Sequence, residues 1–241
     1  MKLSFVIPAY NEEAYIGRCL ESILKALEQK PAGYATEIIV INNASKDGTR
    51  KKAESFPGVR VVDEPNKGLT RARQRGLEEA KGDLLAYIDA DSQVAEHWFP
   101  IMEHEFATKP KLVSLSGPYR YYDLSGWKKF LAELGWDIAA PTLYFFAPYI
   151  VLGGNFVAKK EALVAMGGFD TNIDFYGEDM DIAWRLHELG TVLFRMDFFV
   201  YSSGRRLSGE GLFKTYLTYA LNSLWEVIFH RPFTKTSQDI R

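Results

Sequence analysis

A single cysteine, Cys19, stands among the 241 residues, so no disulfide can form within the chain. That fits a reducing compartment. Neither sign of charge is in excess. The net charge is −2, which gives no global basic field for nucleic acid. His97, His104, His187 and His230 show no ligand spacing with one another, which argues against a zinc site. Repeats and low-complexity segments are absent, and no linker marks a second independent domain. The uncharged, aromatic run Ile138 to Leu152 is shorter than the ~20 residues of a membrane helix, and Pro141 and Pro148 interrupt it. It reads as a buried or interfacial segment. The opening run Met1 to Pro8 is too soon interrupted for a signal peptide, so a cytoplasmic protein is expected.

What is present is apolar mass and rhythm. At 47% hydrophobic residues, the chain can bury the core of one large domain. Leu3–Ile7, Glu37–Ile41, Val59–Val62 and Asp83–Ile88 read as strands. Between them lie helices expected from Asn11 to about Leu27, over Arg50–Ser55, and from a Thr70 cap to Ala80. This βα alternation calls for a largely parallel, doubly wound sheet. After Asp91 the rhythm loosens. Helices are expected near Glu96–Phe106, Glu161–Met166, Asp179–Leu189 and Leu212–Phe229, with strands at Leu112–Ser116 and Thr191–Met196. Tyr119 to Tyr149 is an aromatic region without an assigned element.

The chemistry concentrates where strands end. The fourth strand runs out into Asp89-Ala90-Asp91, and open α/β sheets bind ligands at that carboxyl edge. A hard divalent cation takes one or two carboxylates plus substrate phosphate oxygens, and this pair offers such a seat. An isolated Asp-x-Asp is also how a solvated strand end looks, so context decides. Pro8-Ala9-Tyr10-Asn11-Glu12 and Asn42-Asn43 end strands at the same edge. A ring, amides and a carboxylate converging there suit a base and ribose. Asn66-Lys67-Gly68 precedes Arg71, Arg73 and Arg75, of which one or two can face the crevice, since residues two apart do not share a helix face.

Glu178-Asp179, with Asp181, opens a helix whose N-terminus favours ionised carboxylates, as a general base at neutral pH requires. Ordinary acidic capping accounts for one of them. Gly153-Gly154-Asn155 permits close backbone approach to a ligand. Arg205-Arg206 form either guanidinium forks for a pyrophosphate or a basic surface turn.

In this order the fragments resemble family 2 glycosyltransferases. Val6–Glu12, Glu37–Thr49, Asn66-Lys67-Gly68 with Ala72-Arg73 and Gly76, Asp89-Ala90-Asp91, Gly154-Asn155, Gly167–Asp170 and Gly177-Glu178-Asp179 carry the resemblance. It implies an α/β GT-A fold, a Rossmann-like and mostly parallel doubly wound sheet with a smaller acceptor lobe and a C-terminal helix. Residues 1–91 would form the nucleotide-binding half, 92–204 the acceptor-binding half and 205–241 a helical extension. The implied reaction is inverting, non-processive transfer of a sugar from a nucleoside diphosphate sugar of UDP or GDP type to an acceptor hydroxyl. Asp91, helped by Asp89, would hold Mg2+ or Mn2+. Pro8, Tyr10, Glu12, Asn43, Arg73, Ala90, Arg205 and Arg206 would bind the nucleotide. Asp179 would be the base, Glu178 would either support it or orient an acceptor, and Gly154, Asn155 and Trp184 would lie on the acceptor side.

Asn42-Asn43 stands where members often carry Asp-Asp, which leaves guanine and thymidine open beside uracil. Processive synthesis is disfavoured because the Gln-x-x-Arg-Trp motif is absent. A nucleotidyltransferase would place a Gly-rich basic loop where Tyr10-Asn11-Glu12-Glu13 stands. A non-catalytic sugar-nucleotide binder would be expected to lack Asp91 or Asp179. The resemblance further implies a glycan or polyprenyl-linked acceptor. The last helix is expected to pack on the body as core; a polyprenyl acceptor would instead bring the enzyme to the inner face of a membrane, through that helix and the aromatic stretch Leu143–Ile150.

Overall fold

The structure is a computed structural model that describes residues 2–146, 148–173, 177–211 and 218. Strands β1 (Lys2–Ala9), β2 (Ala35–Asn43), β3 (Val59–Glu64) and β4 (Leu84–Ile88) alternate with helices α1 (Ile16–Leu27), α2 (Thr49–Glu54) and α3 (Leu69–Glu79). Then come β5 (Ser92–Val94), α4 (Trp98–Thr108), β6 (Leu112–Ser116), β7 (Tyr119–Tyr121), α5 (Gly126–Phe146) and β8 (Asn155–Lys159). The described chain continues through α6 (Lys160–Ala165), α7 (Glu178–His187), β9 (Thr191–Phe194), β10 (Val200–Ser202) and α8 (Arg205–Glu210).

The central sheet has seven strands in the order β3-β2-β1-β4-β8-β6-β9. Only β8 runs against its neighbours. The interior strands are near-continuous apolar runs because both faces are covered. Alternation along β1 divides the core: Leu3, Phe5 and Ile7 pack with α1 and α4, through Ile16, Leu20, Ile23, Trp98 and Met102. Val6 turns to the other face, with Leu77 of α3, Leu163 of α6 and Ile182 and Leu186 of α7. The expected doubly wound α/β sheet is therefore present, with an antiparallel strand inserted.

Several expectations need correction. The first helix begins at Ile16, five residues after the expected Asn11. Asn11 adopts a positive φ of 52°, and the main-chain oxygen of Glu12 accepts the Tyr15 and Ile16 N–H groups. The acidic pair therefore precedes the helix. Thr70 is not a cap: α3 starts at Leu69, and the Thr70 hydroxyl donates to the Ile173 carbonyl at 2.8 Å.

The aromatic region holds β7 and α5, and α5 continues through Pro141, which was expected to interrupt it. A second small sheet, in the order β5-β10-β7, was not foreseen because its strands have three residues each. α5 presents Trp127 and Phe130, each about two-thirds exposed, with Leu131, Leu134 and Ile138 at the three- and four-residue spacing of one helix face. The last helix expected, over Leu212–Phe229, lies outside the described residues except for Thr218.

Candidate functional site

Parallel register brings the ends of β1, β2 and β4 to one edge. β8 starts at that edge, because its antiparallel register sets Asn155 opposite Ile88. Gly153-Gly154 thus enters beside Asp89-Ala90-Asp91. The Asp89 N–H donates to the Gly154 carbonyl at 3.3 Å. A Cβ on Gly154 would overlap the Asp89 carboxylate, and one on Gly153 would overlap Arg73 and Asp179. These glycines are needed for close approach of backbone to charged side chains.

Two groups of carboxylates share the crevice. In the first, Arg73 is buried on α3 with Nη1 3.6 Å from Glu178 Oε1 and 3.8 Å from Asp179 Oδ1. Its Nε and Nη1 make no hydrogen bond, so a buried guanidinium is aimed into the crevice with donors to offer. Gly177, at φ 90°, turns the chain so that α7 opens with Glu178 and Asp179. The Gly153 N–H donates to Asp179 Oδ1 at 2.9 Å. Burial lifts Glu178 well above the usual carboxylate range. The neighbouring Asp179 charge adds to this, and Arg73 opposes it. Burial likewise lifts Asp179 to about 6, with Arg73 holding it down and Asp89 pushing it up. Burial thus raises both carboxyls, and the Asp179 side chain remains 32% exposed to the crevice.

In the second group, Arg205 Nη2 lies 2.5 Å from Glu12 Oε1 and 2.9 Å from Asp91 Oδ2. Cys19 lies beneath, its Sγ 3.6 Å from the Asp89 carbonyl. Burial raises the thiol pKa, and Asp91, Asp89 and Glu12 add to the shift. Among the described residues, no three His, Cys, Asp or Glu side chains form a site that could hold a metal alone. The donor set still suits Mg2+ or Mn2+: Asp91 supplies hard oxygens, already faces a cation, and leaves phosphate oxygens to complete the shell.

The remaining expected residues divide. Pro8 is buried at the end of β1, opposite Ile41, and Ala90 is buried between the two aspartates. Tyr10 stands at the crevice with Lys67 Nζ 3.9 Å from its ring centre. Asn43 was expected to meet the nucleoside. Its Nδ2 donates to the Glu64 and Asn66 carbonyls at 3.2 and 2.7 Å, and its Oδ1 accepts the Gly68 N–H at 2.8 Å. That amide builds the β3–α3 loop.

Asn155 was placed on the acceptor side, but it is fully buried. It donates to the Gly117 and Phe198 carbonyls at 3.0 and 2.8 Å and accepts from Trp98 Nε1 at 3.0 Å. Its polar groups are committed to the scaffold. Trp184 follows Asp179 by five residues on α7, a rotation of about 140°, and does not join the acidic pair. Arg206 follows Arg205 on α8, half-buried.

Sequence reasoning missed Tyr119. Its hydroxyl accepts the Gly154 N–H at 3.1 Å, and burial together with Asp89 and Asp179 raises its pKa. It also missed Tyr122, whose hydroxyl donates to the Asp91 carbonyl at 3.2 Å. Neither tyrosine belongs to a motif that spacing could have flagged.

The seven-stranded, mostly parallel α/β sheet with one antiparallel strand inserted is that of a GT-A glycosyltransferase fold. The profile of glycosyl transferase family 2 matches residues 4–166, and the chain belongs to that family. The glycosyltransferase YfnE of Bacillus subtilis is 28% identical over 247 aligned positions, covering 79% of this chain and 61% of its own. Dolichyl-phosphate beta-glucosyltransferase ALG5A of Trichomonas vaginalis is 32% identical over 117 residues, 45% of this chain. That match spans 36% of the relative's length, so the chain corresponds to about a third of it. TarS of S. aureus superposes with a TM-score of 0.67 at 18% identity, covering 94% of this chain and 72% of that one. The mannosyltransferase PcManGT from Pyrobaculum calidifontis, solved with GDP-Man and Mn2+, gives 0.62 at 20% identity, with 95% and 68% covered. These two likenesses speak for the fold.

Asn155→Ala tests the structural assignment of that amide. It should lower unfolding free energy in urea by at least about 2 kcal/mol, because buried partners are left unpaired. Unchanged stability with weakened acceptor binding would return Asn155 to the acceptor side.

Proposed function

We propose that the protein transfers a sugar, with inversion, from a nucleoside diphosphate sugar to an acceptor hydroxyl. The observation that carries this reading is the placement of Asp179: a carboxylate open to the crevice, held by the Gly153 N–H at 2.9 Å and faced by Arg73 at 3.8 Å, with burial lifting its pKa to about 6. A base works best when its pKa lies near the working pH.

Asp179 takes the proton of the acceptor hydroxyl as that oxygen bonds to the anomeric carbon. The bond from that carbon to the diphosphate breaks on the opposite face, so configuration inverts. The Gly153 N–H orients Asp179 Oδ1, and Arg73 favours its charged form before the acceptor arrives. Asp91, with Asp89 behind it, would hold Mg2+ or Mn2+. Such an ion, when bound, stabilises the charge on the departing diphosphate. Tyr10 and Lys67 stand where a base and ribose would lie. Relatives solved with UDP or GDP-Man support a donor of UDP or GDP type. With the Asn43 amide turned to the loop, base selection falls to other groups.

A lipid-linked acceptor is supported by two observations. One similar protein is named for dolichyl phosphate. The exposed stripe Trp127, Phe130, Leu131, Leu134 and Ile138, with Lys128 beside it, suits the surface of an anionic bilayer. No described helix is long and apolar enough to cross a membrane.

Asp179→Asn should leave Mn2+-dependent nucleotide binding near normal and abolish transfer. In the unchanged protein the rate should fall on the acid side through about pH 6. The raised pKa makes the opposite contribution to stability: it is present below the ordinary Asp range and lost as pH rises through about 6. Near-normal transfer by the Asn variant would end the base assignment. Asp91→Ala should remove the Mn2+ dependence of UDP or GDP binding in calorimetry, and unchanged affinity would count against the metal role. Vesicles carrying anionic lipid should co-sediment the protein at low salt, and Trp127→Glu/Phe130→Glu should release it. Sedimentation indifferent to that change would remove α5 from the contact.

A further inference from the structure

The route of the chain after β10 brings an arginine onto the cation seat. β10 runs antiparallel to β5, with Ser202 opposite Ser92. The chain therefore leaves β10 toward Asp91, the residue preceding Ser92. Asp123 fixes the turn by accepting from the Ser203 hydroxyl and the Gly204 N–H. Arg205 opens α8 at that point, its guanidinium 4.6 Å from the Tyr15 ring centre and between Glu12 and Asp91. The side chains of Arg205, Glu12 and Asp91 are 17%, 2% and 15% exposed. So little solvent reaches them that the carboxylates need a cation nearby whether or not a ligand is bound.

We infer that Arg205 is the resident cation of the Asp91 site. It neutralises Asp91 and Glu12 while the crevice is empty, and moves to the donor diphosphate when a divalent ion takes Asp91. This inference rests on the reading that Asp91 holds the ion. Two cations cannot share one carboxylate face without repulsion at short range. A guanidinium fork matches phosphate oxygens as well as it matches carboxylate. The donor brings its own negative charge, so it offers the displaced guanidinium a new partner as the ion arrives. Metal and nucleotide therefore bind cooperatively, each weak without the other. Because Arg205 is the first residue of α8, its release also frees the start of that helix from the crevice floor.

The test measures Mn2+ binding to the full chain by the paramagnetic resonance of free Mn2+, first without nucleotide. It then measures UDP and GDP binding with Mn2+ present. Arg205→Gln should bind Mn2+ alone about tenfold more tightly and Mn2+-dependent UDP or GDP about tenfold more weakly, within the usual range of coupling between sites. Opposite signs are the signature, since a merely structural ion pair would shift neither. Arg205→Gln takes a cation from beside the buried Glu12, so the double variant Glu12→Gln/Arg205→Gln provides a second route. It removes the Glu12 charge together with the Arg205 guanidinium, and should show the same opposite changes. Wild-type Mn2+ affinity in a folded variant, judged by circular dichroism, overturns the resident-cation role. If Asp91→Ala binds Mn2+ and nucleotide as the unchanged protein does, the metal reading itself fails, whatever the Arg205 variants show.

Discussion

The crevice depends on one piece of backbone pairing, the antiparallel register that sets Asn155 against Ile88. It fixes Gly154 beside Asp89 and so delivers the Gly153 N–H to Asp179. Asn155 locks that register from beneath, since its amide ties β8 to the Gly117 and Phe198 carbonyls and to Trp98. A slip of one residue would exchange the two faces, carrying Asn155 to the apolar side where Phe156 now stacks on Tyr87 and parting its amide from Trp98. Few other changes would displace so many charged groups together.

Around this floor the charges alternate. Arg73 faces Glu178 and Asp179, and Arg205 lies between Glu12 and Asp91. Each arrangement pairs a guanidinium with carboxylates in a place where burial penalises both. Burial makes the ionised Asp179 costlier in the folded protein than in the unfolded chain. Such strain persists when the surrounding structure over-determines the geometry, as α3, α7 and the glycine loop do here.

Much of the frame was legible. β1 to β4 announced themselves as apolar runs ended by polar residues, and their shared edge followed from parallel pairing. The placement of Asp89, Asp91 and the acidic start of α7 could be anticipated from strand and helix ends. What stayed hidden depends on contacts between distant segments. Nothing local distinguishes Asn155 as a buried clamp from Asn155 as a surface contact. The three-residue strands of the second sheet are too short for any period to register. Their pairing is what places Arg205 on Asp91. Pro141 misled because a proline inside a helix is costly but survivable when the helix is long.

The path between β6 and β8 has a further consequence. These strands are direct antiparallel neighbours, with Ser116 opposite Phe156, yet β7 and α5 lie between them in the chain. Topologically this is a hairpin whose turn has grown into a lobe. Closing such a loop costs entropy only with the logarithm of its length, about 0.6 kcal/mol for each doubling. Closure entropy therefore sets little limit on the lobe's length. What binds the lobe to the floor is contact: β7 pairs with β10, Tyr119 holds the Gly154 N–H and Tyr122 holds the Asp91 carbonyl, so a change of length is tolerated beyond these anchors and not across them.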